Sequence, residues 1–476
     1  MATLDFTKYF IYRWRYIFGY SLITVLLVGL LIFVGFYLPG GLSATEMTAA
    51  VRSATLSFTD PATLAIANLP YYALQSFVFS LFGISIFTIK LPSLILAFFS
   101  AVGFIFLLRR WFKPNIAVLA SLIAITTGQF LFIAQQGTPS ILYIFWPIVL
   151  LLLGTQITRG KKLRFLWKIL FAVSAALSLY TPLSIYPLIA VALATILHPH
   201  LRNAVRRLSK PRLVVVTVIF FILLAPLAYS IYINPQLGLT LLGVPTVWPP
   251  DLMANALNVS KQYFLFWEPS VGVLMTPVFG LGSAILIMLG FIRIIRTRET
   301  TRSYLIIIWI LCLIPVLLLN PLFTSVTFVP SMLMLAAGLT SLIGYWYRLF
   351  PLNPYARIAG LIPIVILVFA LCISGLFRYI YGYHYSTNQA ALFSKDLALL
   401  PKDTTELIVS EDERAFFEAV AKYRDSLSVV TTPSADVFVV TREARTDFPG
   451  FEIDKIITNG HTDSSDRLYI YKKTAS

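Results

Sequence analysis

Long apolar segments with almost no charged residues follow one another along most of this chain. The first runs from Ile17 to Leu38, which is long enough for an α-helix to cross a hydrocarbon core about 30 Å thick. Of the 476 residues, 58% are hydrophobic and 12% are charged, whereas charged residues make up about 25% of an average soluble domain. No water-soluble fold could bury so many apolar segments. The sequence therefore predicts a polytopic α-helical membrane protein.

The hydropathy pattern predicts about eleven transmembrane helices. They lie near residues 17–38, 87–108, 115–133, 141–157, 165–180, 183–197, 213–233, 271–292, 303–319, 324–346 and 358–381. The fifth and sixth are short and are separated only by Thr181-Pro182, so this stretch is compatible with two spans or with a re-entrant or broken pair. The first segment is too long for a cleaved signal peptide, and we interpret it as a retained helix.

The distribution of basic residues predicts the orientation in the membrane. The formal net charge is +16, and basic residues cluster between alternate spans. The clusters are Lys8–Arg15, Arg109–Lys113, Arg159–Arg164, Arg202–Arg212, Arg293–Arg302 and Arg348–Arg357. Loops rich in Lys and Arg face the cytoplasm. We therefore predict a multi-pass protein of the cell membrane with a cytoplasmic N-terminus, and the same distribution argues against nucleic-acid binding.

The composition changes sharply after the last predicted span. From about Tyr385 the chain is charged and mixed, so we predict a transmembrane domain over residues 1–384 and a small soluble extracytoplasmic α/β domain over residues 385–476. Within it, Asp412–Lys422 has the pattern of a helix. Strands are predicted at Glu406–Ser410, Leu427–Thr432, Asp436–Thr441 and Leu468–Lys472. The domain has no Gly-rich phosphate loop and no nucleophile elbow, so a binding or lid role is favoured over catalysis.

The first external loop places one carboxylate, Glu46, just outside the membrane. Met47, Val51 and Ala54 recur at helical spacing, which predicts an interfacial helix with Glu46 and Arg52 off its apolar stripe. In the structural interpretation, Ser43-x-x-Glu46 is a capping box and Glu46 only closes the helix. In the functional interpretation, Glu46 faces a cavity and removes a proton from an acceptor hydroxyl, which accelerates a reaction by roughly 10²- to 10⁴-fold.

Several short motifs follow Glu46 in order. They are Asn68-Leu69-Pro70-Tyr71-Tyr72, Leu81-Phe82-Gly83 and Lys90-Leu91-Pro92-Ser93. Their order and spacing, together with the number of spans, resemble the C-type (GT-C) glycosyltransferase superfamily, in particular its protein O-mannosyltransferase and aminoarabinose-transferase branch. The resemblance covers roughly residues 10 to 200 and extends weakly through Pro330–Leu339. It implies a GT-C-like fold and transfer of a sugar from a polyprenyl-phosphate donor to an acceptor on the external face.

The chain departs from the family pattern at several positions. Thr45 stands where such enzymes carry the first acid of an Asp-Glu pair, and Ser140 stands where a second acid follows the third span. Leu69 replaces a basic residue before the proline, and Val326-Thr327 replaces an Arg-Tyr pair. With those acids replaced, the sequence offers no set of oxygen ligands for a divalent metal, and no cofactor is evident.

Transfer from a polyprenyl phosphate also needs a cation near the leaving phosphate. The external candidates for the donor phosphate are Arg52, Lys90 and Lys261. Lys90 also fits a lipid-facing anchor at a helix entry, and Arg52 also fits a contact with lipid headgroups. By the resemblance and by position, we expect the substrate cavity to be lined by Thr45, Asn68, Tyr71, Tyr72, Gln136, Ser140 and Glu268.

Three functions are compatible with these features. The favoured one is a membrane glycosyltransferase that takes a sugar from a polyprenyl-phosphate lipid and gives it to an unknown acceptor. A transporter or flippase of lipid-linked sugar is the alternative. Transporters usually carry ionisable residues within their spans and are often built from repeated halves, whereas these spans are almost free of charged residues and no repeat is visible. A relative that binds lipid-linked sugar without turnover is the third, because Thr45 and Ser140 replace acids.

Overall fold

The computed structural model describes residues 10–36, 41–57, 59–159, 163–206, 209–245, 247–267, 270–271, 275–349, 355, 359–385, 392–424, 426–458 and 466–474. Within these residues, seven helices are long and apolar enough to cross a membrane. The number rises to eight if two helices joined at a bend of 55° are counted as one span. The protein is therefore a polytopic helical membrane protein, as its hydropathy predicts.

Helices make up most of the chain before Tyr379. The first eight are α1 (Phe10–Phe36), α2 (Ala44–Ala54), α3 (Pro61–Leu64), α4 (Leu69–Phe82), α5 (Ile86–Trp111), α6 (Pro114–Thr126), α7 (Gly128–Gln135) and α8 (Leu142–Arg159). The next ten are α9 (Arg164–Ser178), α10 (Ile185–Leu197), α11 (Pro199–Arg206), α12 (Lys210–Ile233), α13 (Pro235–Leu242), α14 (Leu252–Phe264), α15 (Leu281–Arg296), α16 (Thr301–Leu319), α17 (Phe328–Leu349) and α18 (Leu361–Tyr379). A two-stranded hairpin, β1 (Ser270–Val271) and β2 (Met275–Thr276), precedes α15.

Each predicted span overlaps a helix, but three of these helices are short. Helices α9, α10 and α15 have 15, 13 and 16 residues, and crossing a bilayer takes about 20. The count of about eleven spans depends on these three also crossing, and it stays a prediction. The eighth predicted span begins too early, because β1 and β2 occupy its first residues.

The one bend counted within a span joins α6 to α7. Thr127 has an extended backbone there, and its hydroxyl accepts from the Phe130 N–H at 3.4 Å while donating to the Ala124 carbonyl at 2.8 Å. The threonine thus ends one helix and caps the next. After this bend, α7 packs on α5 and α18. At Thr181-Pro182, where the sequence suggested a break, the chain connects two separate helices, α9 and α10.

The C-terminal region is a small mixed α/β unit. Its sheet has the order β4-β3-β5-β7-β6, with β3 parallel to β4 and β5 and with β7 antiparallel to β5 and β6. The elements are β3 (Glu406–Ile408), α19 (Glu411–Ala421), β4 (Ser428–Val430), β5 (Val437–Thr441), β6 (Phe451–Thr458) and β7 (Arg467–Lys473). Four strands and the helix were predicted, whereas β6 was missed.

Helix α2 was predicted in the first external loop, but its surroundings differ from the prediction. It packs on α4 and on α19 of the C-terminal unit. Met47 and Val51, predicted to meet the membrane interface, pack instead against a shared core that includes Phe416 and Phe417. Glu46 is fully buried, whereas Arg52 on the same helix is exposed. The C-terminal unit therefore covers the apolar side of α2, which was expected to lie in the membrane interface.

Candidate active site

Glu46 and Lys90 form a buried ion pair at the centre of the candidate site. The Glu46 Oε1 lies 3.4 Å from the Lys90 Nζ, and both side chains are 0% exposed. The ammonium also donates to the Gly41 carbonyl at 3.3 Å and lies 5.5 Å from the centre of the Phe393 ring. Lys90 therefore does not reach lipid from its helix entry. It holds the start of α5 to the start of α2.

Two capping boxes fix the helices that carry this pair. At α2, the Ser43 hydroxyl accepts from the Glu46 N–H, and the Ser43 N–H donates to Glu46 Oε2 at 2.9 Å. At α5, Ser85 and Thr88 make the same reciprocal contacts. Glu46 thus caps its own helix through Oε2 and pairs with Lys90 through Oε1. The capping interpretation of Glu46 is therefore confirmed, whereas its role as a base stays a prediction.

A third element reaches the same carboxylate. The Gly137 N–H donates to Glu46 Oε1 at 2.7 Å from the turn between α7 and a 3₁₀ segment, Pro139–Ile141. A Cβ at Gly137 would lie 2.6 Å from the Ile89 Cγ2 and 2.9 Å from the Ile89 carbonyl oxygen. Glycine is therefore required for this close approach. Gly137 was not predicted as a site residue, although a glycine just before a proline turn was a visible signal in the sequence.

A chain of hydroxyl groups connects Tyr71 to the same turn. The Tyr71 hydroxyl is hydrogen-bonded to the Ser93 hydroxyl at 2.8 Å, and Ser93 donates to the Thr138 carbonyl at 3.2 Å. The Thr138 hydroxyl in turn donates to the Ser140 hydroxyl at 3.1 Å. Burial raises the pKa of Tyr71 well above its usual range, so the phenol remains neutral. Tyr71 and Ser140, predicted separately, therefore belong to one network.

A second set of contacts ties α2 to α4 and α5. The Ser53 hydroxyl donates to the Gln75 Oε1 at 2.6 Å, and the Gln75 amide donates to the Ile89 carbonyl at 2.7 Å. The Arg52 guanidinium donates to the buried Tyr72 hydroxyl at 3.5 Å while the rest of Arg52 is exposed. Arg52 and Tyr72, predicted separately, are thus brought together on α2 and α4.

Three other predicted residues lie on the border of this region. Thr45 is exposed, with its hydroxyl 3.0 Å from the Ser43 hydroxyl. Asn68 has a left-handed backbone (φ 61°) and donates its N–H to the Tyr180 carbonyl at 2.7 Å. Within the described residues its Oδ1 is buried without a partner. Gln136 is 8% exposed and directly precedes the Gly137 turn.

The structure does not bring Lys261 into this cluster. Lys261 is exposed on α14. This helix packs chiefly on α16 and on the 3₁₀ segment Pro321–Thr327, which follows α16. The other acid predicted for the cavity, Glu268, lies outside the described residues. Among the described residues, no group of three or more His, Cys, Asp or Glu side chains is placed to hold a metal ion.

Two residues at the end of α18 were not predicted from the sequence. The Tyr379 hydroxyl donates to the Gln135 Oε1 at 2.5 Å, which ties the last span to α7. Beside it, the Arg378 Nη2 is buried without a partner among the described residues, and such a nitrogen is costly unless an anion or water reaches it. The signal was present, because an arginine inside an apolar span is rare.

Two solved proteins have a similar fold. ArnT from Cupriavidus metallidurans in the apo state superposes with a TM-score of 0.54 at 12% identity, covering 95% of this chain and 98% of ArnT. The same protein bound to undecaprenyl phosphate gives a TM-score of 0.54, with 94% and 97% coverage. The oligosaccharyltransferase of Archaeoglobus fulgidus in the apo form gives 0.51 at 14% identity, covering 89% of this chain and 65% of that one. The chain thus has an ArnT-like fold.

One family model matches part of the chain. Residues 69–229 match the family described as dolichyl-phosphate-mannose-protein mannosyltransferase, and this stretch carries α4, Lys90 and the Gly137 turn. No curated protein sequence matches the chain. The family match confirms the resemblance found in the sequence. Together with the fold, it identifies the chain as a membrane glycosyltransferase of the type that uses polyprenyl-phosphate sugar donors.

Proposed function

We propose that Glu46 is the general base of this transferase and that sugar transfer takes place where α2, α5 and the Gly137 turn meet. The observation that carries the proposal is the buried Glu46–Lys90 pair. Three elements from separate parts of the sequence converge on this one carboxylate, which is the arrangement that holds a catalytic group in a fixed geometry.

The contacts of Glu46 match what a general base requires. The Ser43 hydroxyl donates to Glu46 Oε2 at 3.1 Å, within the reach of a proton that a base abstracts. An acceptor hydroxyl in the place of Ser43 would give its proton to the carboxylate. Its oxygen would then form a bond to the anomeric carbon of the sugar, while the bond from that carbon to the phosphate oxygen breaks and polyprenyl phosphate leaves.

The leaving phosphate gains negative charge and needs a cation close by. Lys90 is the nearest to Glu46 at 3.4 Å, and Arg52 lies on the same helix as Glu46. Lys261 remains a candidate only if the substrate extends to α14. In this proposal Lys90 has two partners in turn, the carboxylate before the donor binds and the phosphate afterwards.

The proposal includes the orientation of the protein. Because basic clusters mark the cytoplasmic side, Glu46 and the C-terminal unit lie on the extracytoplasmic face of the cell membrane. The polyprenyl-phosphate sugar reaches the site from the lipid, and the acceptor approaches from outside. We likewise propose that residues 1–384 form the transmembrane domain and that residues 385–476 form the soluble unit.

A second candidate function is binding of lipid-linked sugar without turnover. This function is favoured because Glu46 is 0% exposed and its carboxylate is already paired with Lys90 and hydrogen-bonded to Gly137 and Ser43. A purely structural ion pair would have the same contacts. An experiment must therefore separate loss of the base from loss of the fold.

Release of polyprenyl phosphate separates these functions. We would assay purified protein in nanodiscs with a panel of polyprenyl-phosphate hexoses and pentoses and with sugar acceptors. Removing one partner of a buried ion pair destabilises a protein by about 3–5 kcal/mol. We therefore compare Glu46→Gln with the double variant Glu46→Gln, Lys90→Met, in which no charge is left unpaired. We expect both to lose transfer by at least about 100-fold and the double variant to regain thermal stability.

The control is Glu411→Gln, since Glu411 is 88% exposed on α19, and it should retain full activity. Recovery of both stability and transfer in the double variant would show that the pair is only structural. Donor binding without any release by the wild-type protein would favour the non-catalytic function.

A further inference from the structure

Three side chains on α7 and α18 have polar atoms that are buried without a hydrogen-bond partner among the described residues. The atoms are Gln129 Nε2 and Oε1, Gln135 Nε2 and Arg378 Nη2. Gln129 is 1% exposed and Gln135 is 0% exposed. Buried polar groups in proteins are almost always hydrogen-bonded, so several exceptions on two helices that pack on each other indicate a place where a polar ligand binds.

A glycine brings the two helices together beside these atoms. A Cβ at Gly128 would lie only 3.5 Å from the Tyr379 backbone nitrogen, so Gly128 lies against that part of α18. Gln129 directly follows the glycine and Arg378 directly precedes the tyrosine, so these two residues occupy adjoining positions on the two helices. The Tyr379 hydroxyl reaches further along α7 and donates to Gln135 Oε1 at 2.5 Å. One tyrosine therefore connects the positions of all three side chains.

This contact between α7 and α18 is also linked to Glu46. Gln135 lies two residues before Gly137, and two residues of chain span at most about 7 Å. The Gly137 N–H donates to Glu46 Oε1 at 2.7 Å. The amide of Gln135 is therefore close enough to the proposed base for one substrate to contact both.

The free hydrogen-bonding groups are mostly donors, and one of them is charged. A guanidinium carries a permanent positive charge and has only N–H donors. Gln135 Oε1 already accepts from Tyr379, which leaves the NH₂ group of Gln135 as a donor. Gln129 offers a donor and an acceptor. Donors arranged around a guanidinium match the oxygens of a phosphate group, so the expected ligand is an oxyanion.

The position of Arg378 indicates that this oxyanion belongs to a lipid. Arg378 lies in the last turn of α18, within the candidate span Leu361–Gly382, and an arginine inside a span is costly and usually functional. Phe369, Ile373 and Phe377 recur every four residues on the same helix and are exposed, so they form an apolar stripe that ends next to Arg378. A lipid anion can reach the guanidinium from the bilayer along this stripe.

We propose that Arg378, together with the amides of Gln129 and Gln135, binds the phosphate group of the polyprenyl-phosphate carrier. The inference rests on the proposed function, because this carrier is the lipid of the donor and leaves after sugar transfer. Arg378 supplies a second cation for the phosphate in addition to Lys90. An unpaired buried guanidinium destabilises the protein until an anion accompanies it, so the same residue lowers stability without the carrier and raises affinity for it.

Arg378→Met separates this binding role from a structural one. Methionine keeps an unbranched apolar stem and removes the charge. We expect the variant to bind a short polyprenyl phosphate about tenfold or more weakly than wild type. Without ligand, its thermal midpoint should be higher than that of wild type, because an unpaired buried charge is gone. Both are measured by thermal unfolding of the whole protein in phosphatidylcholine nanodiscs, over a range of ligand concentrations.

The matched control is Arg348→Met. Arg348 also lies in the last turn of a long helix, α17, but it is exposed, so both affinity and midpoint should stay near those of wild type. Gln129→Leu removes another unpartnered group at nearly constant volume, and it should likewise weaken binding of polyprenyl phosphate and raise the midpoint without ligand.

Two results would overturn the inference: equal affinity of Arg378→Met and wild type for polyprenyl phosphate, or a lower midpoint of Arg378→Met without ligand. Equal stabilisation by phosphatidylglycerol or by inorganic phosphate would contradict the assignment to the carrier. These measurements follow binding rather than turnover. Sugar transfer by the wild-type protein would therefore still support the proposed function if Arg378 failed the test, and loss of binding in Arg378→Met would support the carrier site even in a protein without turnover.

Discussion

Single residues in this protein satisfy several requirements at once. Glu46 uses one oxygen for Ser43 and the other for Lys90 and Gly137. Because every contact of the carboxylate is also a structural contact, loss of activity in a single Glu46 variant has two explanations. Conservative replacements around the carboxylate are therefore more informative than its removal.

Gly137 offers such a replacement. In Gly137→Ala, the new Cβ would lie 2.9 Å from the Ile89 carbonyl oxygen, so the turn must move away from α5 and lengthen the hydrogen bond to Glu46. We expect a loss of stability of about 1–3 kcal/mol, measured by thermal unfolding, and a clear fall in transfer while Glu46 and Lys90 remain in place.

The matched control for this change is Gly154→Ala on α8. A Cβ there would lie 3.9 Å from the Phe171 ring, which is ordinary contact, and alanine favours a helix. Its stability and transfer should remain near those of the wild-type protein. If Gly137→Ala behaves like Gly154→Ala, the turn does not hold the carboxylate.

At the scale of elements, the sequence predicts what is local and misses what depends on distant partners. The capping box at Ser43 and the spans follow from spacing and hydropathy along the chain. The strand β6 was missed although Phe451-Glu452-Ile453-Asp454 alternates, because the following Lys455-Ile456-Ile457 breaks the alternation, and the sheet has a bulge between Ile453 and Lys455. The Glu46–Lys90 pair could not be predicted, since no spacing rule links the starts of two helices.

The carboxyl group of Glu406 on β3 makes the stability of the C-terminal sheet depend on pH. Burial alone would raise the pKa of Glu406, but hydrogen bonds from the Ser434 hydroxyl and from the N–H groups of Ser434 and Ala435, both at 2.9 Å, hold that pKa below its ordinary value. A carboxyl group whose pKa is lower in the folded state stabilises the fold above its unfolded pKa of about 4.3. That contribution is lost as the pH falls through the folded value.

We therefore expect the thermal midpoint of the C-terminal unit to fall as the pH is lowered below about 4.3, and to fall less steeply in Glu406→Gln. A fluorophore on Asp436→Cys would report the transition in the whole protein, because Asp436 is 80% exposed. Glu411→Gln should retain the wild-type slope. An unchanged slope in Glu406→Gln would mean that these hydrogen bonds do not stabilise the charged form.

At the scale of the whole molecule, the chain has two distinct ends. One carries Glu46 beneath the C-terminal unit, and the other carries Trp111 at the end of α5 and the cavity of about 1080 Å³ that it lines. The similarity to ArnT extends over 95% of the chain, so both ends belong to one fold.

Labelling from outside the cell tests the orientation. In a background with Cys312→Ala and Cys372→Ala, a membrane-impermeant maleimide should label Asp436→Cys in intact cells. It should label Lys113→Cys only after permeabilisation, because Lys113 lies in a basic cluster predicted to be cytoplasmic. The reverse pattern would place Glu46 on the cytoplasmic side and contradict the proposed acceptor route.

The contact between Gly41 and Phe393 sets an order of events during synthesis. The Phe393 ring covers Lys90, and its backbone lies directly against Gly41. A ribosome adds about 5–20 residues per second, so it reaches Phe393 roughly 20–70 seconds after Gly41. A chain that stalls after the last span has inserted its helices while the ion pair is still uncovered. The protein acquires a closed Glu46 environment only after its translation is nearly complete.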